Sequence, residues 1–236
     1  MALAGSDRVQ LTAMNRHREV SALGGVSIQG DAAGVDRRGG RAAVFLDRDG
    51  VLNELVRDPR SGVAESPLAV EDVCLVPGAA AAAASLARAG FALVCVSNQP
   101  AAAKGAVSVD QLLAVHKRVT DLLADDGVHL DGSHLCLHHE LGVVPELSGS
   151  CVCRKPAPGM LLEAAATLGL SLADSWMVGD TDADVAAGRA AGCRTLLIEN
   201  PGSVHKRLQG IEPDLVGASL ADAVTAITQQ APRSIR

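Results

Sequence analysis

The chain has 236 residues, 48% hydrophobic and 20% charged, which is enough apolar material to bury a substantial core and too much for a disordered chain. Aromatic residues reach only 1% (Phe45, Phe91 and Trp176), so the core must be aliphatic, and platforms for stacking nucleic-acid bases are missing. The formal net charge of −6 speaks against a phosphate-backbone binder, no apolar run approaches the roughly 18–20 residues of a membrane span, and the N-terminus lacks a secretory h-region; a soluble, cytoplasmic protein with no nucleic-acid or membrane partner is expected.

Residues 1–40 are rich in Gly, Ser, Arg and Asp, show no sustained periodicity and read as a flexible N-terminal extension, with room for a short helix around Val9–Val20. A single domain is expected over 41–236. It opens with Ala42–Leu46, a short apolar run ending in acids, as a buried strand. Pro77–Ala89 reads as a helix, with Pro in the first turn, six consecutive alanines and Gly90 as the stop. Phe91–Val96 is a second buried strand, and Ser108 caps a helix reaching about Asp125 with Leu112, Val115, Val119 and Leu122 on one face. Leu161–Leu168 continues helical, Ser175–Val178 is a strand, Asp182–Ala191 a helix, Thr195–Ile198 a strand and Ser219–Ile227 the closing helix. This alternation predicts an α/β fold, a three-layer, Rossmann-like parallel sheet flanked by helices. Only a loop and the alanine helix fill the stretch between Asn53 and Val96, so no large cap domain is expected, and a site open at the top suits small substrates.

In such sheets ligands bind beyond the carboxyl ends of the strands, which directs attention to the residues that follow each one. Asp47-Arg48-Asp49-Gly50 follows the first strand; two carboxylates two residues apart suit a nucleophile or metal ligand beside a general acid/base, although Asp-Gly is also a common turn. Ser97-Asn98-Gln99 offers a hydroxyl and two amides to phosphate oxygens, and is equally an ordinary turn. Arg154 and Lys155 would neutralise phosphate charge, where a solvated basic pair is the plain alternative. Asp180, Asp182 and Asp184 sit where a helix begins; they could cap it or hold a hard cation such as Mg²⁺. Together these segments supply the parts for phosphoryl transfer.

Of six cysteines, Cys74, Cys95 and Cys193 lie in or beside apolar stretches and read as small core residues. Cys136 and His138, then Cys151 and Cys153, form two ligand pairs whose three thiolates and one imidazole fit a closed, structural Zn²⁺ site. His139 is an alternative ligand, and free thiols in a loop the plain alternative. The intervening segment is rich in Gly, Pro and Ser and could not order itself by burial, so a zinc-stabilised loop is expected over 136–153.

The chain resembles the haloacid-dehalogenase superfamily of phosphatases, whose four motifs match Asp47-x-Asp49-Gly50, Ser97, Lys155 and Gly179-Asp180 within residues 42–230. The resemblance implies that Asp47 attacks phosphorus to form an aspartyl-phosphate, that Asp49 protonates the leaving alcohol and later activates water, and that Ser97 and Lys155 hold phosphoryl oxygens. It also implies that Asp47, Asp180 and the backbone carbonyl of Asp49 hold Mg²⁺. The cysteine cluster directly before Arg154-Lys155-Pro156 narrows the resemblance to the branch of D-glycero-D-manno-heptose 1,7-bisphosphate phosphatases and histidinol-phosphatases, closer to the former. That branch implies a small phosphorylated sugar as substrate, Arg154 in its recognition, and Asn53 and Glu54 facing it. Two departures bear on which sugar is accepted: Thr181 stands where the heptose enzymes usually carry Lys, and Pro100-Ala101 where they carry Ser-Gly, with Lys104 a nearby cation. The alternatives are a histidinol-phosphatase and, from another class, a non-catalytic zinc-stabilised binding module. The oligomeric state is open, with a monomer favoured.

Overall fold

The computed structural model describes residues 18–20, 25–29, 40–59, 61–208 and 210–230. Among them the chain forms β1 (Arg18–Val20), β2 (Val26–Gln29), β3 (Arg41–Leu46), β4 (Val56–Arg57), β5 (Ala64–Glu65), α1 (Ala79–Arg88), β6 (Ala92–Asn98), α2 (Val109–Asp125), β7 (Gly132–Cys136), α3 (Gly159–Leu168), β8 (Leu170–Gly179), α4 (Asp182–Ala191), β9 (Arg194–Ile198), β10 (Leu215–Gly217) and α5 (Leu220–Gln229). The main sheet runs β1-β2-β7-β6-β3-β8-β9-β10. All neighbours from β7 to β10 pair in parallel, whereas β2 is antiparallel to β7 and β1 to β2.

Over residues 42–46, 92–96 and 176–178 the central strands are continuously apolar because both faces are covered. In β3, Val44 and Leu46 face one side with Leu86 of α1, Val115 and Val119 of α2 and Ile227 of α5. Ala43 and Phe45 face the other, with Met160 and Ala164 of α3 and Ala187 of α4. The strand period of two thus divides the core into two layers around one sheet, and the expected three-layer architecture is found. The α2 helix starts as its sequence predicts, with the Ser108 hydroxyl accepting from Gln111 N at 3.1 Å.

Several details depart from the sequence reading. The segment 1–40 is not wholly an appendage: β1 and β2 extend the sheet edge, and residues 18–20, expected at the end of a helix, are extended. Pairing against β7 supplies the ladder hydrogen bonds that local sequence does not advertise; the rest of that helix lies outside the described residues. No strand is legible at Gly132–Cys136, because its Ser, His and Cys obscure the apolar pattern, yet all five residues are buried. Cys74 is exposed, unlike Cys95 and Cys193, since it sits in the loop before α1 instead of on a sheet face. Among the described residues, only the β4–β5 hairpin and a short 3-10 turn stand between β3 and α1, and these form no large cap.

Candidate active site

The ends of β3, β6 and β8 meet the loop before α3, and the side chains picked out in the sequence converge there. Asp47 directly follows β3, its N–H donating to Val178 O at 2.9 Å, which draws the ends of β3 and β8 together. Lys155, only 3% exposed, donates to Val96 O at 2.8 Å and forms ion pairs with Asp47 Oδ1 at 3.0 Å and Asp184 Oδ1 at 2.5 Å. Burial alone would favour its neutral form, but the Asp184 and Asp47 carboxylates outweigh that and hold its pKa above the ordinary lysine range. Asp47 is pushed up to about 6, first by burial and then by Asp184 and Asp49, against the pull of Lys155.

Asp180 lies at the tip of β8, accepts from Ser203 Oγ at Oδ2, and is pushed up to about 8 by burial and by the nearby Asp47 and Asp184 charges. Carboxylate oxygens of Asp47, Asp180 and Asp184 lie within 4.8 Å of one another. Three buried acids this close repel, and Asp180 Oδ1 has no hydrogen-bond partner among the described residues. Buried hard oxygens in mutual repulsion, one of them unpaired, fit a divalent cation such as Mg²⁺. The loop leaves room only for glycine at residue 50: its φ is +89°, and a Cβ there would stand 2.0 Å from Asp180 Oδ2.

Asp49 is held separately. Arg48 Nε and Nη2 donate to its Oδ1 and Oδ2 at 3.0 and 2.9 Å, Asn53 Nδ2 to Oδ1 at 2.9 Å and Gln99 Nε2 to Oδ2 at 2.6 Å. Burial would raise the Asp49 pKa, but the Arg48 charge and hydrogen bonds from Asn53, Gln99 and Ser66 hold it below the usual carboxylate range. Asn53 is thus fully buried behind Asp49, and not at a substrate-facing mouth. Gln99 also donates to Ser97 Oγ at 3.0 Å. The Asn98 amide clamps the backbone of Lys155, donating to its O at 2.9 Å and accepting from its N at 3.0 Å. The Asn98 and Gln99 amides at the end of β6 are therefore taken up by neighbouring protein groups, and the Ser97 hydroxyl, which accepts from Gln99, stays at the strand tip with its own proton to donate. Thr181 caps α4, its N and Oγ1 donating to Asp184 Oδ2 at 3.1 and 2.6 Å.

Beside this crevice, Cys136, His138, Cys151 and Cys153 gather with their ligand atoms within 4.8 Å. The Sγ–Sγ separations are 3.3, 3.3 and 3.6 Å and His138 Nδ1 lies 3.3 Å from Cys153 Sγ. A tetrahedron with Zn–S of about 2.3 Å has edges of about 3.8 Å, so this donor set fits zinc. The cluster favours a thiolate at Cys136, pulled down to about 5 mainly by the Cys153 thiol's hydrogen bond, while Cys153 is held up by the same partner. His139 turns away and accepts from Leu141 N at 3.1 Å. Gln99 N donates to Cys136 O at 2.7 Å and Arg154 Nη1 to His138 O at 3.2 Å, so the loop is tied to both flanks of the crevice.

Sequence reasoning passed over Arg48, Ser66 and Ser203, and noted Asp184 only as one of three acids. Arg48 carries a weak signal, a cation between two carboxylates, but only burial reveals its role. Nothing local marks Ser66 or Ser203, which arrive from distant loops.

A mostly parallel sheet with a lysine-bridged acidic cluster beyond its central strands defines a hydrolase of the haloacid-dehalogenase-like class. The HAD-hydrolase-like family model matches residues 152–223. The chain is 39% identical over 185 residues to the D-glycero-beta-D-manno-heptose-1,7-bisphosphate 7-phosphatase of Yersinia pestis, covering 78% of this chain and 94% of the relative. It is 39% identical over 203 residues to the D-glycero-D-manno-heptose-1,7-bisphosphate 7-phosphatase of Thermosynechococcus vestitus, covering 82% and 99%. The structure of the D,D-heptose 1,7-bisphosphate phosphatase from B. bronchiseptica complexed with magnesium and phosphate superposes with a TM-score of 0.67 at 30% identity, over 80% of this chain and 99% of that one. The chain belongs to the D-glycero-D-manno-heptose-1,7-bisphosphate 7-phosphatase family of haloacid-dehalogenase-like phosphatases.

Proposed function

We propose that this protein is a Mg²⁺-dependent phosphomonoesterase that acts in the cytoplasm on a small phosphorylated sugar, D-glycero-D-manno-heptose 1,7-bisphosphate or a related heptose phosphate, with residues 41–236 as its catalytic domain. The observation that carries the reading is the buried group of Asp47, Lys155 and Asp180 beyond the strand ends of a chain this similar to heptose bisphosphate phosphatases. Asp47 is the nucleophile: a bond forms from its carboxylate oxygen to phosphorus as the bond from phosphorus to the sugar oxygen breaks, and Asp49 passes a proton to that oxygen. Asp49 then takes a proton from the water that attacks the aspartyl-phosphate, which releases inorganic phosphate and restores both carboxyl groups. Lys155 and Ser97 hold the phosphoryl oxygens. Asp47, Asp180 and the carbonyl of Asp49 would hold Mg²⁺, which when bound neutralises phosphoryl charge.

Cys136, His138, Cys151 and Cys153 would hold Zn²⁺ in a structural role, since all four positions are protein ligands. The loop that they order carries Arg154 and His139 to the rim. After a desolvation contribution, the positive fields of Lys104 and Arg154 lower the His139 pKa, which marks the rim as cationic. Such a rim suits a substrate with a second phosphate and offsets the uncharged Thr181.

Inorganic phosphate release with Mg²⁺ from heptose bisphosphates, heptose monophosphates and histidinol phosphate tests the reading. A heptose bisphosphate should be preferred, with turnover abolished in Asp47→Asn at unchanged zinc content. Preference for histidinol phosphate would move the assignment to that branch, and undiminished hydrolysis by Asp47→Asn would overturn the mechanism.

A further inference from the structure

Arg48 is the one member of the crevice whose side chain is wholly enclosed and whose cation faces Asp49 alone among the described carboxylates. A buried guanidinium costs folding free energy, and an apolar side chain of similar length would fill the space below the site without that cost. The geometry of the contact is more specific than charge balance requires. The fork engages both Asp49 oxygens, at 3.0 and 2.9 Å, while Asn53 reaches Oδ1 and Gln99 reaches Oδ2. Each oxygen of the ionised carboxylate therefore accepts two side-chain donors, and the carboxyl plane cannot rotate without breaking several of them; when Asp49 carries the proton at Oδ2, the Gln99 amide, turned over, would accept from it while the other donors keep the plane. Arg48 also organises its own neighbour: its carbonyl accepts from Leu52 N at 2.9 Å and Asn53 N at 3.0 Å, which curls the loop so that the Asn53 amide reaches Asp49.

The two carboxylates that follow β3 are thus served by different cations. Lys155 holds Asp47, and Arg48 holds Asp49 from below. We propose that Arg48 is a positioning residue that fixes the Asp49 carboxyl in the orientation from which it transfers the proton to the leaving alcohol. This rests on Asp49 being the acid/base. In the step concerned, the bond from Asp47 oxygen to phosphorus forms, the phosphorus–oxygen bond to the alcohol breaks, and the proton moves from Asp49 to that oxygen.

The test is a leaving-group series of 4-nitrophenyl, phenyl and primary alkyl phosphates, read as kcat/KM, which reports the step that expels the alcohol. Nitrophenolate leaves with little help from a proton, whereas an alkoxide needs one. In Arg48→Met, kcat/KM for the alkyl ester should fall at least about tenfold further than for 4-nitrophenyl phosphate, part of the 10²- to 10⁴-fold that general acid catalysis supplies. Arg48→Lys, which restores a charge without the fork, should recover part of the difference. The ratio between esters is measured on one preparation and does not depend on the fraction folded. If Asp49→Asn shows the graded loss and Arg48→Met loses the same factor on every ester, Arg48 is merely structural and the proposal falls. If Asp49→Asn also shows no graded loss, the acid/base assignment fails instead.

Discussion

Gly50 and Asp180 show how closely the site is built around single atoms. At φ +89° a side chain is strained, and a Cβ would meet the Asp180 carboxylate directly. Gly50→Ala should therefore lower stability by about 1–3 kcal/mol and displace Asp180. Mg²⁺-dependent turnover should drop at least tenfold with an increased Mg²⁺ requirement; a variant with unchanged Mg²⁺ titration and rate would show that this close approach is dispensable. Individual chemistry-bearing residues were largely legible: Asp47, Asp49, Lys155 and Asp180 stand at strand ends where their types alone suggest phosphoryl transfer. What each one touches was not legible. Asn53 and Asn98, expected at the substrate, instead hold Asp49 and the Lys155 backbone, because an amide in a loop or at a strand tip serves a substrate or a neighbouring chain segment equally well in one dimension.

At the scale of elements, the loop over 136–153 links the end of β7 to the start of α3 and has little buried surface to order it. Leu141 and Val143 are exposed, and its backbone bonds to Ala103 O by Val143 N at 2.7 Å and Val144 N at 3.1 Å join it to the loop after β6. A metal clip is the natural constraint for such a segment. One zinc per chain is expected by elemental analysis, and Cys151→Ser should lose it. The β sheet should persist by circular dichroism, while phosphatase activity falls at least tenfold because Arg154 and Lys155 directly follow Cys153. Zinc at full stoichiometry in Cys151→Ser would remove this residue from the site. The ligand pairs were legible from spacing, but the strand that delivers the first pair was not, since β7 carries Ser, His and Cys where an apolar pattern was sought.

For the whole molecule, the buried imidazole of His116 on α2 links folding to pH. Burial first, and then the Arg48 charge, push its pKa down to about 3, with Asp49 opposing. Neither ring nitrogen has a partner among the described residues. The unfolded chain binds this proton near the ordinary value of about 6.5, so stability falls as pH drops below that value and continues to fall toward the folded value. Between pH 7 and 5 the linkage amounts to about 2 kcal/mol. Urea unfolding, followed by the fluorescence of Trp176, the only tryptophan and fully buried, should show this loss in the native chain and a smaller one in His116→Leu. Equal losses would assign the pH dependence to other groups. The order of strands and helices, the two-sided apolar strands and the acids at their ends follow from the sequence itself, because burial periodicity, caps and turn residues act over a few positions. Only the tertiary structure decided that β1 and β2 join the sheet, that Asp184 shares Lys155 with Asp47, and that Arg48 turns beneath Asp49. Those outcomes depend on ladder pairing, desolvation and charge balance among segments up to well over a hundred residues apart.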